Sequence, residues 1–171
     1  MMAKNIEITL IAAHDIKNGD VKNIRASAAA WITNDPNNNN SKQRTPVDTT
    51  NGSNPMWNHV ITFTLDKAAL KQEGLLILEI AIYTETTSGE EEIGRISLPL
   101  MGFLQSVRSQ FGGKPVSCQI RNQSGEPEGN LDMSVKMDFS LKRFLKNLSK
   151  KKAVHGGLLG AHLLVLAAPL L

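Results

Sequence analysis

One cysteine, Cys118, is present, so no disulfide can form within the chain and nothing covalent staples the fold. A lone thiol fits a reducing compartment. The opening residues MMAKNIEITLIAAHD carry no long apolar run and no small-residue cleavage pattern, so an intracellular protein is expected. Asn-x-Ser triplets such as Asn51-Gly52-Ser53 are therefore read as chance matches. Acidic residues are missing from Lys142 onward, where six basic residues stand: Lys142, Arg143, Lys146, Lys150, Lys151 and Lys152. That leaves 13 Lys and Arg against 16 Asp and Glu in residues 1–141, a net charge of −3. The overall charge of +3 is a property of the tail, and it makes no case for nucleic-acid binding.

Catalytic patterns are missing too. His14, His59, His155 and His162 have no Cys, Asp or Glu at zinc-ligand spacing. There is no G-x-S-x-G elbow, no P-loop and no dinucleotide glycine pattern. Cys118, inside the run PVSCQIR, reads as a small packed residue and not as a nucleophile. The chain is not expected to be an enzyme or to take a small-molecule substrate.

What the sequence does have is alternation. Ile6, Ile8 and Leu10 alternate with Glu7 and Thr9, and Ile61, Phe63 and Leu65 with Thr62 and Thr64. Residues 130–141 alternate without a break, from Leu131 to Leu141. The run 75–83 (LLILEIAIY) is apolar nearly throughout and suits a central strand covered on both faces. Further strands are expected at 24–33, 42–47, 92–98 and 115–121. NDPNNNNSK (34–42) reads as a flexible surface loop, SGEPEG as a turn, and LMGFLQSV as one or two helical turns. About eight short strands with turn signals between them predict an all-β, eight-stranded antiparallel sandwich.

The stretch NPMWNHVITF places a turn dipeptide, Asn54-Pro55, directly before Trp57, Asn58 and a strand. Proline holds φ near −65° for the turn. The indole then needs a large half-buried slot with its N–H at a polar edge.

With LIAAHDI, NPMWNHVITFTL, LLILEIAIY and EEIGRISLPL in this order, the chain resembles a C2 domain. SKQRTPVDTTNGSNPMWN and RNQSGEPEGNLDMSVKM resemble, more narrowly, the small plant C2 proteins of the cold-regulated and BONZAI-associated groups. The resemblance implies membrane or protein binding in plant stress or defence signalling. The partners it implies are an anionic phospholipid membrane or a protein with a C2 domain of its own. It implies a place in the cytoplasm and at the cytoplasmic face of the plasma membrane or endoplasmic reticulum.

Calcium is the one cofactor the resemblance raises. A calcium-binding member offers about five aspartates from two loops, because calcium wants six to eight oxygens. In an ungapped comparison Asp20 takes the first acidic position and Glu91 the last. Arg25-Ala26-Ser27-Ala28 stands where the family has S-D-P-Y, and Thr84 and Thr86 replace a D-x-D pair. Two acids of five leave a vestigial site, so weak or no calcium dependence is expected. Glu85, Glu90 and Glu92 read as a solvated acidic face.

The expected organisation is a C2-like body over 1–141, a basic amphipathic segment over 142–155 and an apolar tail over 156–171. In LKRFLKNLSKKK, Leu141, Phe144, Leu145 and Leu148 share one helical face, and Lys142, Lys146 and Lys150 lie elsewhere. This reads as a membrane-binding helix or a calmodulin-type target, with a helix docked on the sandwich as the alternative. As a helix, the last ~15 residues reach roughly 22 Å, short of the ~30 Å hydrocarbon core. Interfacial anchoring beside the basic run fits them better than a full span.

Overall fold

The computed structural model describes residues 4–17, 23–37, 40–72, 74–108, 114–155 and 165–167. Its architecture follows from the alternation. In β1 (Lys4–His14) Ile6, Ile8 and Leu10 are fully buried. In β4 (Met56–Leu65) Ile61, Phe63 and Leu65 are. Burial of each such side chain is worth about 1.5–3 kcal/mol, and these two strands face one core with β2 (Ala26–Thr33), β5 (Ile77–Thr86), β6 (Gly89–Pro99), β7 (Val116–Arg121) and β8 (Pro127–Met137). The eighth strand, β3 (Gln43–Arg44), is two residues long.

All pairings are antiparallel, in the order β3-β2-β5-β6-β7-β8-β1-β4. β6 and β7 share a single residue pair, Arg95 with Arg121, so two four-stranded sheets meet at one corner. Gly94 makes this corner close: a Cβ there would lie 2.4 Å from Cγ2 of Ile120. The expected all-β sandwich is the fold observed. A further short strand, β9 (Val165–Ala167), pairs with Val116–Cys118 of β7. The rest of the apolar tail, 156–171, lies outside the described residues.

Three helices complete the described chain: α1 (Lys67–Lys71), α2 (Leu100–Val107) and α3 (Phe139–His155). α2 forms where LMGFLQSV predicts it and buries Leu100, Met101, Phe103, Leu104 and Val107. α3 corrects the strand expected to reach residue 141. Asp138 stops β8 instead: its Oδ1 accepts the Leu141 N–H at 2.7 Å and its Oδ2 accepts the Asn5 N–H at 2.8 Å. It thereby caps the helix and ties it to β1. Leu141 continues the period of two only by coincidence, since it also starts the helical series Leu141, Leu145, Leu148.

Two other differences are local. The strand expected over 42–47 shrinks to Gln43–Arg44 because Thr45 interrupts the ladder, its hydroxyl accepting the Ala28 N–H at 3.0 Å. The asparagine run is not simply a solvated loop, because Asn40 is buried. Its side chain exchanges hydrogen bonds with Thr64 N–H and C=O, at 2.9 Å each, and pins the segment to the edge of β4.

Candidate functional site

The Asn-Pro-Met-Trp-Asn motif forms the turn that enters β4. Its turn is tied to the end of β1: the Pro55 carbonyl accepts the Ala13 N–H at 2.9 Å, and Asn54 Oδ1 accepts the Asp15 N–H at 3.1 Å. Trp57 donates its indole N–H to the Ala26 carbonyl at 3.1 Å, the polar edge its sequence context predicts. Asn58 has φ +48° where β4 carries one residue more than β1, since Leu10 pairs with His59 but Ala12 with Met56. Asparagine tolerates this left-handed conformation better than most residues, which explains the second Asn of the motif.

The centre of this turn is Asp48, which the sequence reading did not single out. Its carboxylate accepts hydrogen bonds from Asn51 Nδ2 (2.7 Å), Met56 N–H (2.8 Å), and the Thr50 N–H (2.9 Å) and hydroxyl (3.1 Å). Those donors, Asn51 first and Met56 next, hold its pKa well below the usual carboxylate range.

At the positions the resemblance assigns to calcium, the described side chains have other partners. Arg25 Nε donates to Glu85 Oε2 at 3.0 Å, joining the chain before β2 to the end of β5. Thr84 is buried and its hydroxyl accepts the Arg25 N–H at 3.2 Å; the Thr86 hydroxyl donates to the Gly89 carbonyl at 3.1 Å. A guanidinium, two committed hydroxyls and one paired carboxylate do not suit a hard divalent cation. Glu91 pairs in register with Thr84 but is exposed, on a cleft of about 240 Å³ that it shares with Lys17, Glu92 and Glu128. Asp20 lies outside the described residues. Among the described residues no group of three or more His, Cys, Asp and Glu converges.

On the outer face of the β2–β5 pair, Trp31, Ala29, Ala81 and Tyr83 form a satellite cluster. Lys42 Nζ lies 4.5 Å and the Arg95 guanidinium 5.0 Å from the Trp31 ring centre, and Arg44 lies 4.7 Å from that of Tyr83. The cover expected on both faces of β5 is thus supplied here by cations on aromatic rings. Most of their charge is balanced locally. Arg44 pairs with Glu90 at 2.6 Å, Arg95 with Glu92 at 2.6 Å and Glu79 at 3.8 Å, and Lys42 donates to the Tyr83 hydroxyl at 3.1 Å.

α3 presents the opposite case. Leu141 and Leu145 are fully buried and Leu148 nearly so, with Phe144 packed beside them. Lys4 Nζ donates to Ser140 Oγ at 2.5 Å, and Gln105 Nε2 of α2 donates to the Leu145 carbonyl at 2.7 Å. The apolar stripe is therefore spent on the sandwich, as in the docked-helix alternative. The outward face carries Lys142, Arg143, Lys146 and Lys150, all exposed. With Arg108, at the end of α2, and Phe139 they line a cavity of about 350 Å³. Lys151 and Lys152 fall in the last turns of α3, and their side chains lie outside those described. The sequence signalled the four helical cations; Arg108 and Phe139 it did not.

Cys118 is buried, and burial followed by the charge of Asp132 pushes its thiol up to about 12. His14 is taken up by Asp132, 2.7 Å away.

Relatives give this geometry its context. The chain is similar to Protein SRC2 of Glycine max, 31% identical over 80% of this chain, and to the Protein SRC2 homolog of Arabidopsis thaliana, 26% identical over 80%. It spans less than half the length of either, 47% and 41% respectively. The fold superposes on a C2 domain of plant Extended Synaptotagmin 1 with a TM-score of 0.59 at 15% identity, covering 81% of this chain and 96% of that domain. The family profile described as C2 domain matches residues 4–112, covering strands β1 to β6 and helix α2, and the chain belongs to the C2 domain family.

Proposed function

We propose that this chain is a non-catalytic C2 module that associates with anionic phospholipid membranes through the outward face of α3, with weak or no calcium dependence. The observation that carries the reading is a row of exposed cations on a helix that has no acidic residue and whose apolar side is already buried. Each Lys or Arg near an anionic leaflet contributes about 1 kcal/mol, so the four helical cations supply roughly 4 kcal/mol, or about a thousandfold in partitioning. Lys151, Lys152 and the apolar residues of 156–171 other than Val165–Ala167, which pair with β7, would add to this hold. No helix among the described residues is long and apolar enough to cross a membrane. The division into a body (1–141), a basic segment (142–155) and an apolar tail (156–171) belongs to this reading. So does a place in the cytoplasm and at the cytoplasmic face of the plasma membrane or endoplasmic reticulum, in plant stress or defence signalling.

The test is co-sedimentation of the full chain with phosphatidylserine vesicles, in calcium and in chelator, beside a variant with Lys142, Arg143, Lys146 and Lys150 all changed to Gln. Chelator-insensitive binding lost in the variant is expected. Truncation at residue 141 is the wrong comparison, because it removes Leu145 and Leu148 from the packed interior.

The Trp31–Tyr83 cluster favours a second reading, an adaptor that holds a protein such as another C2-containing partner on this face. Aromatic rings flanked by arginines whose charge is already balanced suit a protein interface better than a phosphate. Trp31→Ala should then weaken partner capture and leave vesicle binding intact.

A further inference from the structure

We propose that the cavity between α2 and α3 is a headgroup site, and that it takes a lipid whose headgroup carries two or more phosphate groups. This rests on the membrane reading above and adds a selectivity that a charged helix face alone lacks.

The cations come from two elements and surround a concavity. Arg108, the C-cap of α2, is held where it is by Val107 and Leu104, which pack into the core, and by the Gln105 bond to α3. It meets Lys142, Arg143, Lys146 and Lys150 across a space of about 350 Å³, within the size range of small-ligand sites. Lys142, Lys146 and Lys150 sit on successive turns and extend over roughly 12 Å of helix axis, longer than one phosphate can bridge. A phosphodiester carries a single charge. Phosphate monoesters carry about −1.5 to −2 each and offer three acceptor oxygens, enough to engage the row, with the arginines binding bidentately.

These side chains are available. No carboxylate lines the cavity, and none of the five cations forms an ion pair among the described residues. Arg44 and Arg95, by contrast, already hold glutamates. The rim also supplies a reason for the ligand to be a lipid and not a free polyphosphate. Phe139 is 78% exposed beside the cations, and a ring in that position can enter the interfacial layer above a bound headgroup.

The full chain is tested on phosphatidylcholine vesicles that carry either phosphatidylserine or a phosphatidylinositol bisphosphate at matched total charge. About tenfold tighter binding to the bisphosphate is expected. Arg108→Gln should remove that excess, while its cost to phosphatidylserine binding stays within the roughly fivefold of any one surface cation. Phe139→Ala should weaken vesicle binding by more than it weakens binding of soluble inositol hexakisphosphate. Equal binding at matched charge, or an effect of Arg108→Gln no larger than that of Lys71→Gln on α1, overturns the headgroup site but leaves the membrane reading standing. Binding of the soluble polyphosphate without any vesicle binding overturns the lipid as the ligand and the membrane reading with it. Binding to neither defeats both.

Discussion

Trp57 and Ala26, 31 residues apart, are joined by one hydrogen bond of 3.1 Å from the indole N–H to the backbone carbonyl. The same carbonyl also accepts the Asp48 N–H at 2.8 Å. Trp57→Phe therefore leaves it one partner and should cost only about 1 kcal/mol, whereas Trp57→Ala also empties the slot and should cost roughly 3 kcal/mol. Urea unfolding of the two variants measures the difference. Equal losses would mean that the hydrogen bond, and not the ring, is what matters.

Asp48 predicts a pH dependence. Its folded pKa lies below the unfolded carboxylate value of about 3.9, so the deprotonated form is the one the fold favours. The stability it contributes is complete above the unfolded value and drains away as the pH falls from there toward the folded one. Because the carboxylate is screened by solvent, Asp48→Asn should lower stability at pH 7 by only about 0.5–1 kcal/mol and make the loss between pH 5 and pH 2 shallower. Denaturation curves across that range decide it. A variant with an unchanged acid limb removes Asp48 as its source.

The packing of α3 separates two kinds of substitution on one helix. Leu145→Ala creates a cavity and should destabilise the protein by about 2–5 kcal/mol, while Lys146→Gln should change stability by no more than about 0.5 kcal/mol. If the helix instead left the sandwich and entered lipid, Leu145→Ala would weaken vesicle binding and leave the unfolding midpoint where it was.

Gly129 has φ +103°, and a Cβ there would stand 2.3 Å from the His14 carbonyl oxygen. Gly129→Ala should destabilise by about 3 kcal/mol or more, since the strain falls on backbone and no side chain can give way. Thermal unfolding near that of the parent protein would show that β1 and β8 can part at this point without cost.

Cys118 should react with a disulfide reagent only as fast as the sheet opens. Its thiol is buried and stays protonated at neutral pH. The rate should rise with urea in step with unfolding, and rapid labelling in native buffer would contradict the packing at β7.

Much of the sandwich was legible because one face of a strand is buried and the other is not, which writes a period of two into β1, β4 and β8. The same rule misled at Leu141, whose burial comes from a helix and happens to continue the strand pattern. Asn40 was hidden for a different reason: an amide buried against the edge of β4 looks, in sequence, like any other asparagine of its run. The α2–α3 cavity was half legible. Four cations at helical spacing are a local signal, but Arg108 lies 34 positions before Lys142 and joins them only because α2 and α3 pack together. Asp48 was missed because its role is written in its donors, among them a threonine, an asparagine and a backbone amide.

The two sides of α3 divide the labour: its leucines hold it to the protein, and among the described side chains Lys142, Lys146 and Lys150 form no ion pair. Surface charge there is therefore free to drift without endangering the fold. Lysine acetylation would act in the same way, removing one positive charge at a time from a rigid support. On the membrane reading, attraction to an anionic surface would become an adjustable quantity, set in small steps by chemistry that the interior never registers.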